Sequence, residues 1–402
     1  MIAQLKQLQT QTSLPGYVLP PVPQTGTRVI LLRHGRSTLN DQGRYQGSSD
    51  TGELTPEGMA ASHAIGRYLK QCPVDAIYVS PLKRAQDTAA ALLPHLTTPP
   101  LKNLSTSDLL KEIHLPSWEG QRYEDVRSHQ PDLYRCWQET PDQFQLSSGA
   151  STVYPVQDLY QQAQRFWQTI LPRHSGQTLL VVSHGGTNQA LINTALKSSA
   201  SQHHLLQQTH SGLTVLDFQT PTDEFAQLHL LNLTLNSDAA APRLPKLKAG
   251  KQGLRLLLLP CQPGIAPDPS LATLLSSEPI QAAVVQDWQD PTPRPHQHVC
   301  RQVAKTVLCQ NPETVVLSVK RSHFWPQWQA AIENSLHAQQ PGTLTTLLAI
   351  AQPASVQRFL NTLLALPEDA SSLTLQPNTL SVVHYPNAQT RPILQGMNLI
   401  AL

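Results

Sequence analysis

The sequence of 402 residues is poor in charged residues and has no long apolar run. Charged residues make up 14% of the chain and the formal net charge is +2, so no polybasic region is available for nucleic acid or an anionic membrane surface. No apolar stretch reaches the roughly 20 residues that span a bilayer, and the N-terminus carries neither a secretory apolar core nor an Arg-rich transit pattern. We therefore expect a cytoplasmic protein, or a stromal one in a photosynthetic cell, with no nucleic-acid and no membrane partner.

Cysteine is scarce as well. The five cysteines are scattered, odd in number and without a CxxC pair: Cys72, Cys136, Cys261, Cys300 and Cys309. This spacing argues against a disulfide framework and against structural zinc. We expect reduced cysteines, no metal site and no other cofactor.

The first buried strand of the chain ends in polar residues. Val29–Leu32 is an apolar run that suits a parallel strand and is too short for a helix, and it continues directly into Arg33, His34 and Gly35. In open parallel sheets, ligands bind beyond the carboxyl ends of the strands. Arg33 and His34 are therefore candidates for a ligand site.

Further strands alternate with helices along the first half of the chain. Two more buried runs, Ala76–Val79 and Leu179–Val182, end close to Ser80 and His184, and residues with helical spacing follow each run. This alternation predicts an α/β fold with a sheet rich in parallel strands and helices on both faces.

The length and the breaker-rich stretch in the middle of the chain predict two domains. The predicted parts are a proline-containing N-terminal arm (1–27), a first domain (28–236), a linker without periodicity (237–253) and a second domain (254–402).

The second half of the chain repeats the first weakly. Arg255–Cys261 parallels Arg28–His34, and the run that begins at Leu347 parallels the run that begins at Leu179. The predicted catalytic positions differ between the copies. In the second half, Pro260 and Cys261 replace Arg33 and His34, Gln352 replaces His184, and Asp290 falls at the position of Arg84. We expect a degenerate copy that serves as a scaffold without catalytic residues.

Four residues from three strand ends suit a tetrahedral dianion. The guanidinium groups of Arg33 and Arg84 can give paired, charge-assisted hydrogen bonds to phosphate oxygens. A neutral His34 can attack phosphorus, and His184 can stabilise charge on the transferring group. The scheme also needs an acid for the leaving alkoxide. The candidate acids are Glu112, Glu119, Glu124 and Asp108.

Four sequence blocks, in this order, resemble the histidine phosphatase (phosphoglycerate-mutase-like) superfamily. They are Arg33-His34-Gly35, Ser80-Pro81-Leu82-Lys83-Arg84-Ala85, Leu110-Lys111-Glu112-Ile113 with Trp118-Glu119-Gly120, and Ser183-His184-Gly185-Gly186. The resemblance covers about residues 28 to 235. It implies a three-layer phosphoglycerate-mutase-like fold for the first half, followed by the degenerate copy of that fold.

The resemblance also assigns roles to single residues. It implies that His34 accepts the phosphoryl group, that Arg33, Arg84 and His184 form the phosphate pocket, and that Glu112 donates the proton. Positions that usually touch substrate are occupied by Asn40, Gln46, Gly47 and Gly185. Two departures concern the block that carries the acid: Lys111 stands where arginine is frequent, and His114–Ser117 replaces a glycine-bearing spacer.

The activity that these features predict is hydrolysis of a small sugar-phosphate monoester through a phosphohistidine, without metal. The small-molecule substrate is the expected partner. Three alternatives stay open at this point: a phosphoglycerate mutase, a phosphatase of broad specificity, and a regulatory binding protein that docks a partner through its second half.

Overall fold

The structure is a computed structural model of the full chain. It describes residues 14–17, 19–22, 24–97, 104–149, 151–222, 225–235, 242–247, 250–276, 278–287, 299–366 and 372–400. The chain divides into two compact units. The first comprises residues 1–204, 208–229 and 234–241, and the second comprises residues 205–207, 230–233 and 242–402.

The first unit is a mixed α/β structure. Its strands are β1 (Thr27–Arg33), β2 (Ala76–Val79), β3 (Leu104–Thr106), β4 (Leu146–Ser148), β5 (Ser151–Val153), β6 (Gln177–Ser183), β7 (Leu213–Phe218) and β8 (Ala226–Leu235), of which Leu230–Leu233 cluster with the second unit. Its helices are α1 (Thr38–Asp41), α2 (Pro56–Tyr68), α3 (Lys83–Leu92), α4 (Tyr123–His129), α5 (Pro131–Glu139), α6 (Pro155–Ile170) and α7 (Gly185–Ala195).

The strands of this unit follow the order β8-β7-β1-β6-β2-β3. Strand β1 pairs in parallel with β6, with Val29 opposite Leu179, and β2 pairs in parallel with β6 and β3. The side chains of Val29, Ile30, Leu31 and Leu32 are fully buried, as expected for a strand covered on both faces. The carboxyl ends of β1, β2 and β6 therefore meet at one edge of the sheet.

Local sequence signals explain where helix α2 begins. The Thr55 side chain accepts a hydrogen bond from the Gly58 amide, and Pro56 occupies the first helical position, as the sequence predicts. Helix α7 begins at Gly185, directly after His184, whereas the sequence predicts a start near Asn188. The early start matters for the site because it places backbone amide groups next to His184.

The second unit is also a mixed α/β structure. Its strands are β9 (Pro242–Arg243), β10 (Gly253–Pro260), β11 (Ala282–Asp287), β12 (Val315–Lys320), β13 (Leu344–Ala351), β14 (Leu380–Tyr385) and β15 (Ile393–Leu399). Its helices are α8 (Ser270–Leu275), α9 (Val299–Val307), α10 (Arg321–His337) and α11 (Pro353–Leu364). The strand order is β12-β11-β13-β10-β14-β15.

The strands of the second unit repeat the order and the register of those of the first. The order β14-β10-β13-β11-β12 corresponds to β7-β1-β6-β2-β3. Leu256 lies opposite Leu347 and Val383, as Val29 lies opposite Leu179 and Leu216. These are the same pairs that the sequence alignment of the two halves predicts, so the second unit carries a copy of the same fold.

Backbone conformation gives an independent sign of the repeat. Among the described residues, six that are not glycine adopt a positive φ, and they fall into three pairs that are 168, 167 and 166 positions apart: Lys197 with Ala365, Ser211 with Asn378, and Asn232 with Asn398. Residues with side chains adopt this region rarely. Its recurrence at matched positions indicates that both copies keep the same local backbone conformations.

The structure also corrects the expectation about the cysteines. Cys261 and Cys300 form a disulfide, although the sequence predicts reduced cysteines, because the end of β10 and the first turn of α9 come together across 39 positions. The region Leu104–Gly120 is mostly loop and contains the short strand β3, which pairs in parallel with β2. The position matched to Arg84, Asp290, lies outside the described residues.

Part of the N-terminal arm packs against the first unit. Leu14 and Tyr17 are buried, the Tyr68 hydroxyl donates to the Pro15 carbonyl, and Arg28 donates to the Pro20 carbonyl.

Within the described residues, the helices are too short or too polar for any of them to cross a membrane.

Candidate active site

The candidate site lies where β1, β2 and β6 end. Backbone hydrogen bonds continue the pairing past the strands: the His34 amide donates to the Ser183 carbonyl over 2.9 Å, and the Ser80 amide donates to the Val182 carbonyl over 3.0 Å. The residues that follow the three strands are therefore fixed next to one another. His34 and His184 are almost fully buried there, with ring centroids 5.1 Å apart.

The imidazole of His34 has a defined tautomer. Its Nδ1 lies 2.7 Å from the Gly35 carbonyl oxygen, and because a carbonyl oxygen only accepts, Nδ1 carries the proton. The Nε2 atom then holds a lone pair. Burial holds the pKa of His34 well below its usual range, and the neighbouring His184 and Arg84 lower that pKa further. His34 is therefore neutral near pH 7, which is the form that can act as a nucleophile.

Ser80 positions the second histidine. The Nε2 atom of His184 lies 2.7 Å from the Ser80 hydroxyl oxygen, while its Nδ1 has no hydrogen-bond partner among the described residues. Burial, followed by the charges of Arg84 and Arg33, holds the pKa of His184 well below its usual range. Ser80 therefore orients the ring and leaves Nδ1 available for a ligand.

Arg84 is held by the loop that carries Gly47. Its Nη1 donates to the Ser49 carbonyl over 2.8 Å and its Nη2 donates to the Gly47 carbonyl over 2.9 Å. Gly47 has a φ of +54°, and a Cβ there would collide with the Glu119 carboxylate, so only glycine fits. The Nε of Arg84 has no partner within the described part of the chain. Burial lowers the pKa of Arg84, and the charge of Glu112 opposes that effect.

Arg33 lies against the start of α7. A Cβ at Gly185 would lie only 3.2 Å from the Arg33 Cζ, so glycine allows the close approach. The Nη1 of Arg33 donates to the Gln208 carbonyl over 2.5 Å, and its Nε has no partner in the described ranges. Burial lowers the pKa of Arg33 and Glu112 opposes this. Two guanidinium groups whose buried Nε–H donors have no partner among the described residues are suited to an anionic ligand.

Glu112 reaches the site through the N-terminus of α7. Its Oε2 accepts from the Gly186 amide over 3.1 Å, and its Oε1 accepts from the Thr187 amide over 3.0 Å. The competing acids are placed differently. Asp108 pairs with Lys111 over 2.9 Å, and the Glu119 Oε1 accepts from the Ser48 amide over 2.8 Å. The charge of Glu112 acts on both Arg33 and Arg84, whereas Glu119 acts on Arg84 alone of these two, so Glu112 remains the predicted acid.

The other residues predicted to touch substrate have structural contacts. The Oδ1 of Asn40 accepts from the Ser37 amide and hydroxyl in a capping box at α1, and Tyr123 hydrogen-bonds to Asn40. Gln46 is buried, and its Oε1 has no partner among the described residues. Substrate contact by Asn40, Gln46, Gly47 and Gly185 stays a prediction.

Two neighbours of the candidate site have no role that the sequence predicts. Ser80 is part of a recognised block, but its contact with His184 spans 104 positions and depends on the pairing of β2 with β6. His210 lies 5.7 Å from His34, measured between ring centroids. It stands just before β7, and no pattern in the sequence sets it apart from other histidines.

The model of the histidine phosphatase superfamily (branch 1) matches residues 29–232. This is half of the chain and includes all the residues of the pocket, so the chain belongs to that family.

Two curated relatives and one solved structure illustrate the likeness. The chain is 33% identical over 258 residues to the 2-carboxy-D-arabinitol-1-phosphatase of Triticum aestivum, a match that covers 64% of this chain and 50% of that protein. It is 33% identical over 159 residues to the phosphoserine phosphatase 1 of Hydrogenobacter thermophilus, covering 39% of this chain and 70% of that one. A phosphoserine phosphatase from Entamoeba histolytica, solved with 3-phosphoglyceric acid, is 26% identical with a TM-score of 0.40 and covers 47% and 90% of the respective chains. The chain spans about half the length of the first curated relatives.

Proposed function

We propose that the protein is a metal-independent phosphatase that hydrolyses a small sugar-phosphate monoester through a phosphohistidine on His34. The observation that carries this proposal is the state of His34. Its Nδ1 is bound to the Gly35 carbonyl, its Nε2 holds a lone pair, and its pKa is held well below the usual range by burial beside His184 and Arg84. A neutral, oriented imidazole beside guanidinium groups is suited to attack phosphorus.

The first chemical step transfers the phosphoryl group to the enzyme. The Nε2 of His34 forms a bond to phosphorus while the ester P–O bond breaks, and the leaving alkoxide takes a proton from the carboxyl group of Glu112. Arg33, Arg84 and His184 stabilise the charge on the transferring group. In the second step, Glu112 takes a proton from water, the water oxygen bonds to phosphorus, and the P–N bond breaks to release phosphate and free His34.

The relatives support a narrower choice of substrate. We propose 2-carboxy-D-arabinitol 1-phosphate, or a related Rubisco-inhibitory sugar phosphate, as the substrate. The match to the wheat 2-carboxy-D-arabinitol-1-phosphatase supports this, and the stretches Arg44–Asp50 and Asn188–Leu191 resemble that enzyme as well. The match to a phosphoserine phosphatase supports a small phosphate monoester more generally.

We assign the activity to a catalytic domain of residues 28–236, preceded by an arm of residues 1–27. A linker of residues 237–253 then leads to a scaffold domain of residues 254–402. The contrast between the two copies supports this division. At the strand ends of the second unit, the Gln352 amide donates to the Gln286 side chain over 2.8 Å, in place of the His184 and Ser80 pair.

A phosphate-release screen on the purified full chain tests the proposal. It compares 2-carboxy-D-arabinitol 1-phosphate, other sugar phosphates, sugar bisphosphates, phosphoserine and phosphoglycerates. We expect phosphate release that His34→Ala abolishes and that His129→Ala, at an exposed histidine on α4, leaves intact. Isomerisation of phosphoglycerate without phosphate release would identify a mutase instead. No phosphoryl transfer with any of these esters would overturn the proposal.

A further inference from the structure

A third histidine lies beside the candidate nucleophile. The ring centroid of His210 is 5.7 Å from that of His34, compared with 5.1 Å between His34 and His184. The backbone fixes this position, because the amide of the next residue, Ser211, donates to the carbonyl groups of both Arg33 and His34, over 3.1 and 3.3 Å. Ser211 holds a left-handed conformation with a φ of +56°. A turn whose backbone is fixed by these hydrogen bonds therefore holds His210 next to His34.

The imidazole of His210 has a shielded atom that needs a partner. Its Nε2 is closed to solvent and has no hydrogen-bond partner among the described residues. Burial, followed by the charges of Arg33 and Arg36, holds the pKa of His210 well below its usual range, so the ring is neutral near pH 7. Buried polar atoms are normally hydrogen-bonded. An unpaired ring nitrogen on which the positive charges of Arg33 and Arg36 act therefore points to an anionic ligand oxygen.

His210 differs from His184 in its exposure. His184 is fully buried, whereas His210 is partly exposed, although its Nε2 is shielded. The charged groups that act on His210 are those of Arg33 and Arg36, and the Arg36 side chain is about half exposed and pairs with Asp41. A partly exposed histidine next to His34 is open to a part of the ester that extends beyond the phosphoryl group.

The second copy of the fold has lost this histidine together with the phosphate pocket. Asn378 matches Ser211 in position and in its left-handed φ, and β14 and β7 share the same register against their neighbours. The residue before Asn378 is Pro377, which has no side-chain hydrogen-bonding group. The turn is therefore kept without the histidine. Folding of the turn does not require His210, which indicates a role in the site.

We propose that His210 is a specificity-determining residue whose Nε2 donates a hydrogen bond to a carboxylate on the alcohol portion of the phosphate ester. The inference rests on the proposed function and names the substrate class more narrowly. The substrates it favours are phosphate monoesters with a carboxylate one or two carbons from the ester oxygen. The cations of Arg33 and Arg36 next to the ring favour an anionic acceptor over a neutral hydroxyl.

Competition between two small phosphate esters tests this role. 3-Phosphoglycerate and glycerol 3-phosphate share one skeleton and differ in a carboxylate against a hydroxymethyl group. Their inhibition constants are measured on the full chain against p-nitrophenyl phosphate, which has no carboxylate. We expect 3-phosphoglycerate to bind at least about tenfold more tightly, the size of one hydrogen bond to a charged group. His210→Leu should remove that difference and leave the KM for p-nitrophenyl phosphate within threefold.

Two further variants control for folding and for charge. His210→Gln keeps a donor and should restore part of the preference for 3-phosphoglycerate, and the exposed His129→Leu should keep all of it. The inference is overturned if wild-type protein binds both esters equally, or if His210→Leu keeps the preference. It is also overturned if His210→Leu weakens all three esters equally, because His210 then contacts the phosphoryl group. If wild-type protein hydrolyses no phosphate ester, the proposed function itself fails.

Discussion

Ser80 and His184 are joined by a hydrogen bond of 2.7 Å between the hydroxyl oxygen and Nε2, although they lie 104 positions apart. Both side chains are fully buried. At the matched positions of the second unit, the backbone amide of Gln352 donates to the side-chain oxygen of Gln286 over 2.8 Å. The fold thus keeps a polar contact between these two strand ends whether or not the site carries an imidazole.

Removing the Ser80 hydroxyl should impair catalysis as well as folding. In Ser80→Ala, the Nε2 of His184 loses its partner, at a cost of about 1–3 kcal/mol for an unsatisfied buried group, and the ring is no longer held in one orientation. We expect kcat to fall about tenfold or more with a small change in KM. Steady-state kinetics and thermal unfolding measure the two effects. Ser128→Ala, at an exposed hydroxyl on α4, is the control, and an unchanged kcat in Ser80→Ala would refute the positioning role.

Glu112→Gln should slow the loss of poor leaving groups most. The glutamine side chain has nearly the shape of the carboxyl group, and its oxygen can still accept from the Thr187 amide, but its NH2 group cannot accept from the Gly186 amide and cannot act as a general acid. For alkyl phosphates we expect a loss in kcat of about 10²–10⁴, the usual range for a general acid, and a smaller loss for p-nitrophenyl phosphate, whose leaving group needs no proton. The exposed Glu124→Gln is the matched control. Equal losses for both ester classes would place the acid elsewhere.

The pH dependence of kcat/KM should report the protonation of His34. The ring attacks only when neutral, and because its pKa is held well below 6.5, activity should persist as the pH falls through 6.5. Arg33→Gln removes a cation, so the pKa of His34 rises and the acid limb of the profile moves to higher pH. Arg135→Gln, at an exposed arginine on α5, should leave the limb in place. If the acid limb of the kcat/KM profile lies at the same pH in Arg33→Gln as in the wild-type protein, the assignment of His34 as the nucleophile is contradicted.

Metal chelation should leave hydrolysis unchanged. The charge of the phosphoryl group is met by Arg33 and Arg84, whose Nε atoms have no other partner among the described residues, so the proposed mechanism calls for no cation. Phosphate release is measured after dialysis against EDTA and again after addition of magnesium or zinc. If EDTA abolishes the activity and a metal restores it, the hydrolysis depends on a metal and the proposed mechanism is contradicted.

The sequence predicts the strand ends of this site well, because each bears a local signal. Short apolar runs identify β1, β2 and β6, and the order of strands in an α/β fold brings Arg33, His34 and His184 to one edge. The internal alignment also predicts the register of the strands in both units, since Val29 and Leu256 have matched partners. Where the two halves of the chain share a sequence pattern, their strands also pair in the same register.

The remaining parts of the site depend on contacts between distant segments. His210 carries no local signal, and only the backbone bonds from Ser211 to Arg33 and His34 bring it to the nucleophile. The sequence does not predict the disulfide between Cys261 and Cys300 either, because the spacing of scattered cysteines does not show which of them lie close together in the fold. Strand β3 is only three residues long and exposed, so it lacks the apolar pattern on which strand prediction rests.

Direct detection of the covalent intermediate tests the central claim. Enzyme is mixed with ³²P-labelled substrate and quenched within milliseconds in alkaline denaturant, in which phosphohistidine is stable, and the labelled peptide is identified by mass spectrometry. The account predicts one phosphorylated residue, His34, formed in a burst that precedes steady-state phosphate release, and no label in His34→Ala. Label on another residue, or full turnover by His34→Ala, would contradict it.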